Sequence, residues 1–183
     1  MADNKDWKIE KTKPEQLEAV MGLYANARRF MAEHGNPNQW GTTFPPVEMI
    51  EADIEEGSSY VCVVDGRIAA VFYHRSGFVC GVSDDPDYRR IDDGQWLNDA
   101  EYGVVHRITS DGQTKGVASF CLNWALEQCG NIKIDTHRDN VVMQNMLKKN
   151  GFSYCGIVYM EDGSERLAYQ KSMQKQKSYE QLL

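Results

Sequence analysis

Apolar residues near the start of the chain recur at helical spacing and predict a helix of about five turns. The residues on its apolar face are Leu17, Val20, Met21, Tyr24, Ala27 and Met31. Thr12 and Glu15 lie three positions apart just before this face, and that spacing predicts a capping box at the helix start. Residues 35–38 combine glycine, asparagine and proline and predict its end. A second, shorter helix is predicted near residues 47–55.

Runs rich in β-branched and aromatic residues predict strands on both sides of these helices. Residues 7–10 alternate polar and apolar positions, as a first strand would. Residues 59–64 and 68–74 are β-rich and are joined by Asp65-Gly66, a strong signal for a two-residue hairpin. We therefore expect two antiparallel strands here.

The second half of the chain alternates strand and helix patterns. Residues 101–109 predict a strand with Tyr102, Val104, His106 and Ile108 on one face and Gly103, Val105, Arg107 and Thr109 on the other. Residues 117–129 are apolar nearly all round, as in a helix packed on a sheet, and residues 132–135 predict a short strand.

A third apolar face, made by Val142, Met143, Met146 and Leu147, predicts a further helix. Asp139 is expected to cap its start, and Asn150-Gly151 to end it in the left-handed conformation. Residues 152–160 and 166–171 then predict a last hairpin.

This order of elements predicts one α/β domain on a mixed sheet, covering residues 1–171, with a polar tail at 172–183. Residues 76–100 are irregular. They carry an acidic tract that we interpret as a solvated loop, with attraction of a cationic amine as the less favoured alternative. The tract comprises Asp84, Asp85, Asp87, Asp92 and Asp93.

Composition narrows the function classes. The 183 residues carry a net charge of −7, the wrong sign for wrapping nucleic acid or binding an anionic membrane. No apolar run approaches the length of a membrane span, and the first residues lack a signal peptide, so we expect a cytoplasmic protein. Five cysteines without a C-x-x-C pair predict reduced thiols and neither a disulfide frame nor a metal site.

Residues 113–118 form the segment with the clearest chemical potential. A glycine-bearing turn between a strand and a buried helix combines free backbone N–H groups with the helix dipole, which suits phosphate oxygens. Gly116 and Ala118 let a ligand approach closely, and Lys115 adds a cation. A purely structural turn remains the alternative, because neither a Walker loop nor a G-x-G-x-x-G fingerprint is present.

Two motifs in this half of the chain resemble those of the GNAT superfamily of N-acetyltransferases. The family's Q/R-x-x-G-x-G/A motif is matched by Gln113, Gly116 and Ala118. Its second motif, N-x-x-A/M followed by G-F, is matched by Asn140, Met143, Gly151 and Phe152. The resemblance covers residues 7–171 and is strongest over 101–160.

The resemblance implies a mostly antiparallel mixed sheet, flanked by about four helices, with a V-shaped split between two parallel strands. It also implies acetyl-CoA as cosubstrate and no metal. The pantetheine arm would lie in the split, with a backbone N–H of the strand through Ile108 polarising the thioester. The residues implied to bind acetyl-CoA are Ile108, Thr109, Ser110, Gln113, Thr114, Lys115, Gly116, Val117, Ala118 and Asn140.

Acetylation of an amine needs the neutral amine, so a general base is worth seeking. Three candidates stand near the expected split: Glu101, His106 and His137. Each also has a plain structural interpretation. Glu101 can be a solvated strand end, His106 a hydrogen-bonded core histidine, and His137 a loop residue bonded to a helix start. The sequence does not rank them.

Leu147 occupies the position where many family members carry a tyrosine that protonates the CoA thiolate. Tyr154 is a possible substitute, although an aromatic residue on a strand is more often part of the core. The leading hypothesis is transfer of an acetyl group to an amine of a small molecule or peptide by direct attack. The alternatives are a non-catalytic acyl-CoA-binding module and an ordinary interaction domain.

The acceptor side carries two further expectations. Loops of this fold that border the acceptor hold four aromatic residues, which either line a substrate pocket or anchor the loops: Trp40, Phe44, Tyr88 and Trp96. A homodimer is also plausible, because family members often pair.

Overall fold

The computed structural model describes residues 6–173 and contains one seven-stranded sheet with helices on both faces. The strands are β1 (Lys8–Lys11), β2 (Ser59–Val64), β3 (Arg67–Phe78), β4 (Tyr102–Ser110), β5 (Asn131–Thr136), β6 (Ser153–Tyr159) and β7 (Glu165–Ser172). The helices are α1 (Leu17–Glu33), α2 (Val47–Glu55), α3 (Val117–Cys129) and α4 (Val141–Lys149). This is the α/β class and the arrangement predicted from the sequence.

The strand order is β1-β2-β3-β4-β5-β7-β6, and only β4 and β5 are parallel neighbours. Their parallel pairing is confined to Gly103 opposite Ile132 and Val104 opposite Lys133. Beyond these residues the two strands diverge towards their carboxyl ends. The V-shaped split predicted for the mixed sheet is therefore present.

The two faces of the sheet have separate cores. On one face, α3 and α4 pack on Phe72, Val105, Ile132 and Ile134. On the other, α1 and the loop before α2 pack on Val61 and Val71. The order of apolar residues along each strand assigns them to these faces, since successive side chains point to opposite sides.

One strand interrupts that alternation. Tyr73 pairs with His106 and Val71 pairs with Thr109, so Arg107 and Ile108 together face the single residue Phe72. This is a β-bulge, and Arg107 adopts a positive φ of 52° within it. The expectation that His106 and Ile108 share a face is therefore wrong, because the extra residue turns Ile108 to the α3 side.

Two predicted helix caps are also wrong. The Thr12 hydroxyl bonds the Ser59 hydroxyl at 2.7 Å, so the predicted capping box with Glu15 does not form. A 3₁₀ turn at Pro14–Gln16 precedes α1 instead, and the Lys13 N–H donates to the Gln16 side chain at 2.8 Å. At α4 the cap is Asn140, which accepts from the Met143 N–H at 3.0 Å, one residue after the expected Asp139.

The irregular segment predicted at residues 76–100 covers residues 79–101, because β3 continues to Phe78, and it does not form a freely solvated loop. Asp92 exchanges two backbone hydrogen bonds with Ile157 on the edge strand β6, at 2.8 and 2.9 Å. A Cβ at Gly94 would lie 2.0 Å from the Cys155 carbonyl oxygen, which shows how closely this segment approaches the strand. Because an unpaired edge favours association with other chains, this segment, here called the edge cover, protects β6.

The edge cover is also held to the face of the sheet. Lys133 of β5 is fully buried, and its ammonium lies 3.9 Å from the ring centre of Tyr102 and 4.4 Å from that of Trp96. Its Nζ also donates to Cys80 Sγ at 3.4 Å. Because Trp96 and Cys80 belong to the edge cover, their contacts with this buried cation fix the position of the segment.

The boundary proposed for the tail falls near the end of the described residues. Ser172 is the last residue of β7, while residues 174–183 lie outside the part of the chain that the structure describes.

Candidate active site

A cleft of about 760 Å³ opens where β4 and β5 separate. Val105, Ile108 and Ile134 line it from the α3 and α4 side, together with Asn140 and Met143 at the start of α4. From the opposite face it is lined by His106, Arg107 and Asp135, and by Met31 of α1 and Met49 of α2. The cleft thus passes through the sheet and connects its two faces.

A smaller hollow of about 310 Å³ lies at the start of α3, on the α3 and α4 side. It is lined by Ser110, Thr114, Gly116, Val117, Ala118, Ser119, Asn145, Met146 and Lys149. Gly116 has a φ of 83°, and a Cβ placed on it would meet no atom within 4 Å. A negatively charged group can therefore approach the backbone here.

Backbone donors face this hollow. Within the described residues, no backbone carbonyl accepts from the N–H groups of Gly116, Ala118 or Ser119. The neighbouring N–H groups of Gln113 and Thr114 are already bonded to the Asp111 carboxylate, at 2.9 and 2.8 Å. The free donors at the helix start and the helix dipole suit a negatively charged group, whereas the carboxylate stabilises the preceding turn.

Seven of the ten residues implied to bind the cofactor line one of the two cavities. The 310 Å³ hollow takes Ser110, Thr114, Gly116, Val117 and Ala118, and the cleft takes Ile108 and Asn140. Gln113 and Lys115 are exposed and line neither cavity, and Thr109 also lies outside both linings. The side chain of Asn140 has two bonds, since it caps α4 and donates to Gln39 at 2.9 Å.

His106 is the candidate base that the structure brings to the cleft. Its Nε2 lies 3.1 Å from Asp85, and its Nδ1 lies 3.8 Å from Asp135. The Tyr88 hydroxyl donates to the same Asp135 oxygen at 2.8 Å. His106 therefore stands between two carboxylates at the wall of the cleft.

The protonation of this group follows from its surroundings. Burial lowers the pKa of His106, but the hydrogen bond to Asp85 and the charge of Asp135 outweigh burial, so the pKa is raised. Burial raises the pKa of Asp85, but the hydrogen bond and charge of His106 outweigh it, so that pKa is lowered. The imidazolium and the carboxylate stabilise each other.

The other two candidates lie elsewhere. Glu101 is exposed and precedes β4, at the end where β4 and β5 are still paired. His137 follows β5 but does not line the cleft, and its Nδ1 accepts from the Asp139 N–H at 3.1 Å. Burial and then the charge of Arg166 lower the pKa of His137.

The expected acid positions do not face the cleft either. Leu147 is fully buried in the core under α4, and Tyr154 is 51% exposed on β6, in edge contact with the Tyr169 ring. Trp40 and Phe44 line the cleft, and both also pack against the core on the α1 side. Tyr88 and Trp96 are instead packed against each other beneath it, with ring centres 5.4 Å apart.

Sequence reasoning missed Asp85 and Asp135. Asp85 is only 7% exposed, so its placement in a solvated acidic tract is wrong. Its side chain also accepts from the Asp87 N–H, and it directly precedes Pro86, a local pattern typical of a capped turn. Nothing in that pattern indicates a partner 21 residues away.

Two further findings concern metals and membranes. Within residues 6–173 no group of three or more His, Cys, Asp or Glu side chains is placed to hold a metal ion. None of the helices in this part of the chain has the length and apolar character needed to cross a bilayer.

Solved structures of acetyltransferases resemble this chain over most of its length. An acetyltransferase of the GNAT family from Streptococcus agalactiae 2603 is 31% identical, with 93% of this chain and 98% of that chain covered and a TM-score of 0.81. A protein described as a putative acetyltransferase from Staphylococcus aureus Mu50 is 22% identical, with 91% and 99% covered and a TM-score of 0.64.

A more distant structure is the ribosomal-protein-alanine N-acetyltransferase of Brucella melitensis, at 14% identity, 90% and 99% coverage and a TM-score of 0.59. At identities this low, the second and third likenesses show the fold alone. No family model matches the chain, and no curated protein sequence matches it.

Proposed function

Because the chain belongs to the GNAT family of acetyltransferases, we propose that it transfers an acetyl group from acetyl-CoA to a primary amine. The observation that carries the proposal is the cleft through the sheet. Its lining includes Ile108, two residues before Ser110 of the hollow at α3, and on the opposite face it includes His106. Two substrates entering from opposite faces would meet there, and the amine could attack the thioester directly.

The hollow at the start of α3 would bind the pyrophosphate of acetyl-CoA. Its free N–H groups at Gly116, Ala118 and Ser119 offer donors that need no side chain, and the dipole of α3 favours negative charge. Lys149 of α4 also borders the hollow and adds a positive charge. These residues suit a phosphate better than they suit an uncharged ligand.

The pantetheine arm would follow β4 from this hollow into the cleft. Ser110 borders the hollow and Ile108 borders the cleft, so the strand between them, which includes Thr109, connects the two cavities. Beyond the short parallel pairing, this side of β4 has no neighbouring strand, and its backbone can bond a substrate that lies alongside. A backbone N–H at the bulge would polarise the thioester carbonyl.

His106 would accept the proton of the attacking amine. It lies on the face opposite the hollow, where the acceptor would enter, and Asp85 orients its ring by a hydrogen bond. Only the neutral imidazole can take a proton, and the raised pKa means that this form increases as the pH rises above the ordinary value. Asp135, on the other side of the ring, would stabilise the imidazolium that forms.

No tyrosine is needed to protonate the departing thiolate. A thiol such as that of cysteine has a pKa of about 8.5, so a departing thiolate is a tolerable leaving group in water. Leu147 at the expected tyrosine position is a core residue. The acceptor itself would be a small molecule or a peptide with a free amine.

The first experiment is a thermal unfolding measurement with and without excess acetyl-CoA. At about 100 times Kd, binding stabilises the folded state by about 2.7 kcal/mol. For a domain of this size the melting temperature should rise by about 5–10 °C. A rise shared by CoA but absent with NAD and ATP would support the proposal, and a panel of amines would then be assayed for turnover.

A second candidate is a non-catalytic acyl-CoA-binding module, favoured by the buried Leu147. It predicts the same thermal shift but no acetylation of any amine and no slow hydrolysis of acetyl-CoA. Turnover with a single amine would exclude this candidate. A complete lack of binding would contradict both candidates and leave the turn at residues 113–118 as a structural feature.

A further inference from the structure

The proposed reaction gives no role to the side chain of Arg107, which lies at the bulge in β4. Arg107 is the bulged residue, and neither it nor Ile108 has a partner in the register with β3 or with β5. Both residues line the cleft. The backbone of these two residues therefore departs from the regular register at the wall of the cleft.

The conformation of Arg107 is unfavourable by itself. A positive φ of 52° is uncommon for a residue other than glycine, because its Cβ is crowded against the backbone. Such a conformation persists only where the surroundings impose it, and it is characteristic of functional sites. In β4, the contacts of the Arg107 side chain impose this conformation.

The side chain of Arg107 is packed among three elements. Its guanidinium donates to Asp53 of α2 at 2.5 Å and lies 4.9 Å from the ring centre of Tyr73 in β3. Burial raises the pKa of the Tyr24 hydroxyl in α1, and the nearby Arg107 charge opposes that rise, so this hydroxyl also neighbours the guanidinium. Helices α1 and α2 are thus tied to the bulge through one side chain.

Among the partners of Arg107, Asp53 is the one that carries the opposite charge. It is 8% exposed, and Arg107 is the cation that faces it. The Nε of Arg107 is buried without any hydrogen-bond partner among the described residues, so the guanidinium is not anchored through that atom. Removing the carboxylate would leave a buried cation without a counterion and free the side chain to leave its place.

We propose that Arg107, clamped by Asp53, is a positioning residue that holds the bulge so that a backbone N–H of β4 points into the cleft. This inference rests on the proposed acetyl transfer. The clamp would act on the developing negative charge of the thioester oxygen through the backbone, without touching either substrate. It also connects α2, which borders the acceptor side of the cleft, to the strand that polarises the thioester.

The test compares Asp53→Asn and Arg107→Lys with a matched control, Arg29→Lys, which replaces an exposed arginine of α1 that bonds Asn26 on the same helix. Both clamp variants should lower kcat about tenfold or more, because the N–H donor is no longer aimed correctly. The Kd of acetyl-CoA should change by less than about threefold, and the control should match the wild type. Asp53→Asn keeps the size of the side chain, which favours folding.

Hydrogen exchange provides a readout that does not need activity. In the unliganded Asp53→Asn variant, the amides of His106 and Thr109, which flank the bulge in the register with β3, should exchange faster, while those of residues 103–105 should keep their rates. This result would support the clamp even if no acceptor amine were found and the proposed function failed. Unchanged exchange at the amides of His106 and Thr109 would overturn the clamp whatever the activity of the variant.

Kinetics distinguishes the clamp from a role in substrate binding. A rise in the KM of the amine with kcat unchanged would mean that Arg107 binds the acceptor directly, which overturns the inference. A kcat within about twofold of the wild type in both clamp variants would overturn it as well. A kcat that falls further in Arg107→Met than in Arg107→Lys would support the inference, because lysine keeps the positive charge that faces Asp53.

Discussion

At the scale of single residues, the chemistry proposed for the cleft depends on the contact between His106 and Asp85, which lie 3.1 Å apart. The contact keeps the imidazole protonated to a higher pH than in an isolated peptide, and it fixes which nitrogen faces Asp85. The proposed reaction requires the neutral ring. The same contact that orients the proposed base would therefore set the pH at which that base becomes available.

We predict that kcat/KM rises with pH and levels off above the raised pKa of His106. In Asp85→Asn the hydrogen bond to a charged partner is lost, so the inflection should move to lower pH. His106→Gln should lower kcat/KM about 100-fold or more and abolish the inflection. The measurement is kcat/KM against pH with saturating acetyl-CoA.

Glu101→Gln and His137→Ala serve as controls for this profile, because neither residue lines the cleft. Their kcat/KM values should stay within about threefold of the wild type. An unchanged inflection in Asp85→Asn would contradict the role given to this pair.

A second residue-scale prediction concerns the hollow at α3. Gly116→Glu should weaken acetyl-CoA binding about tenfold or more, since the side chain would enter the hollow and its charge would repel phosphate. Gly112 is the matched control, because it also has a positive φ, 71°, and open space around its Cβ, but it does not line the hollow. Equal losses of affinity in Gly116→Glu and Gly112→Glu, measured by calorimetry, would argue against a phosphate site at Gly116.

Much of the site could be predicted from the sequence, and the remainder could not for physical reasons. Gly116 and Ala118 at the start of an apolar helix indicate either an anion site or a purely structural turn, and the sequence does not decide between them. His106 could be named but not oriented, because the bulge that separates its face from that of Ile108 arises from a positive φ at an arginine. Strand alternation carries no signal for such a residue.

At the scale of elements, the edge cover is the segment whose behaviour the sequence describes least. Its charges suggest a solvated loop, but Asp92 pairs with the edge strand β6, and Asp85 reaches His106 of β4. Both contacts join residues more than 20 positions apart along the chain, which local patterns do not encode. The helices and strands were predicted well because each buries one face against the sheet, and that face repeats in the sequence.

We predict that Gly94→Ala separates the edge cover from β6. A methyl group would lie 2.0 Å from the Cys155 carbonyl oxygen, and both sides of this contact are backbone. The free energy of unfolding should fall by about 2 kcal/mol or more. The Ile157 amide, which donates to Asp92, should exchange its hydrogen faster than in the wild type.

Gly22→Ala in α1 is the matched control, since its Cβ would meet no atom within 4 Å and its φ is not in the left-handed region. Replacing glycine inside a helix should stabilise the protein by about 0.5–1 kcal/mol. The two glycine variants therefore have opposite expected signs in denaturant unfolding. An unfolding free energy of Gly94→Ala equal to that of the wild type would show that the edge cover can move away from β6 without loss of stability.

At the scale of the whole molecule, the buried pair makes folding stability depend on pH. The raised pKa of His106 stabilises the fold fully below about pH 6.5, and this contribution is lost as pH rises through the folded-state value. The lowered pKa of Asp85 stabilises the fold above about pH 3.9, and this contribution is lost as pH falls through its own folded-state value.

We therefore predict that the difference in unfolding free energy between the wild type and His106→Gln is larger near about pH 5.5 than near about pH 8.5. Taking the difference removes the contributions of titrating groups that do not interact with His106, such as Asp111, where burial raises the pKa but hydrogen bonds from Thr114 and Gln113 outweigh it. Urea unfolding at the two pH values measures it. A difference that is constant or grows with pH would mean that His106 is neutral in the folded protein.

The passage through the sheet has a kinetic consequence. If each substrate enters by its own face, neither blocks the route of the other, and each product can leave by the route through which its precursor came. CoA should then compete with acetyl-CoA but not with the amine, and the acetylated amine should compete with the amine alone. A protein with a single entrance would have to load and unload its substrates in a compulsory sequence.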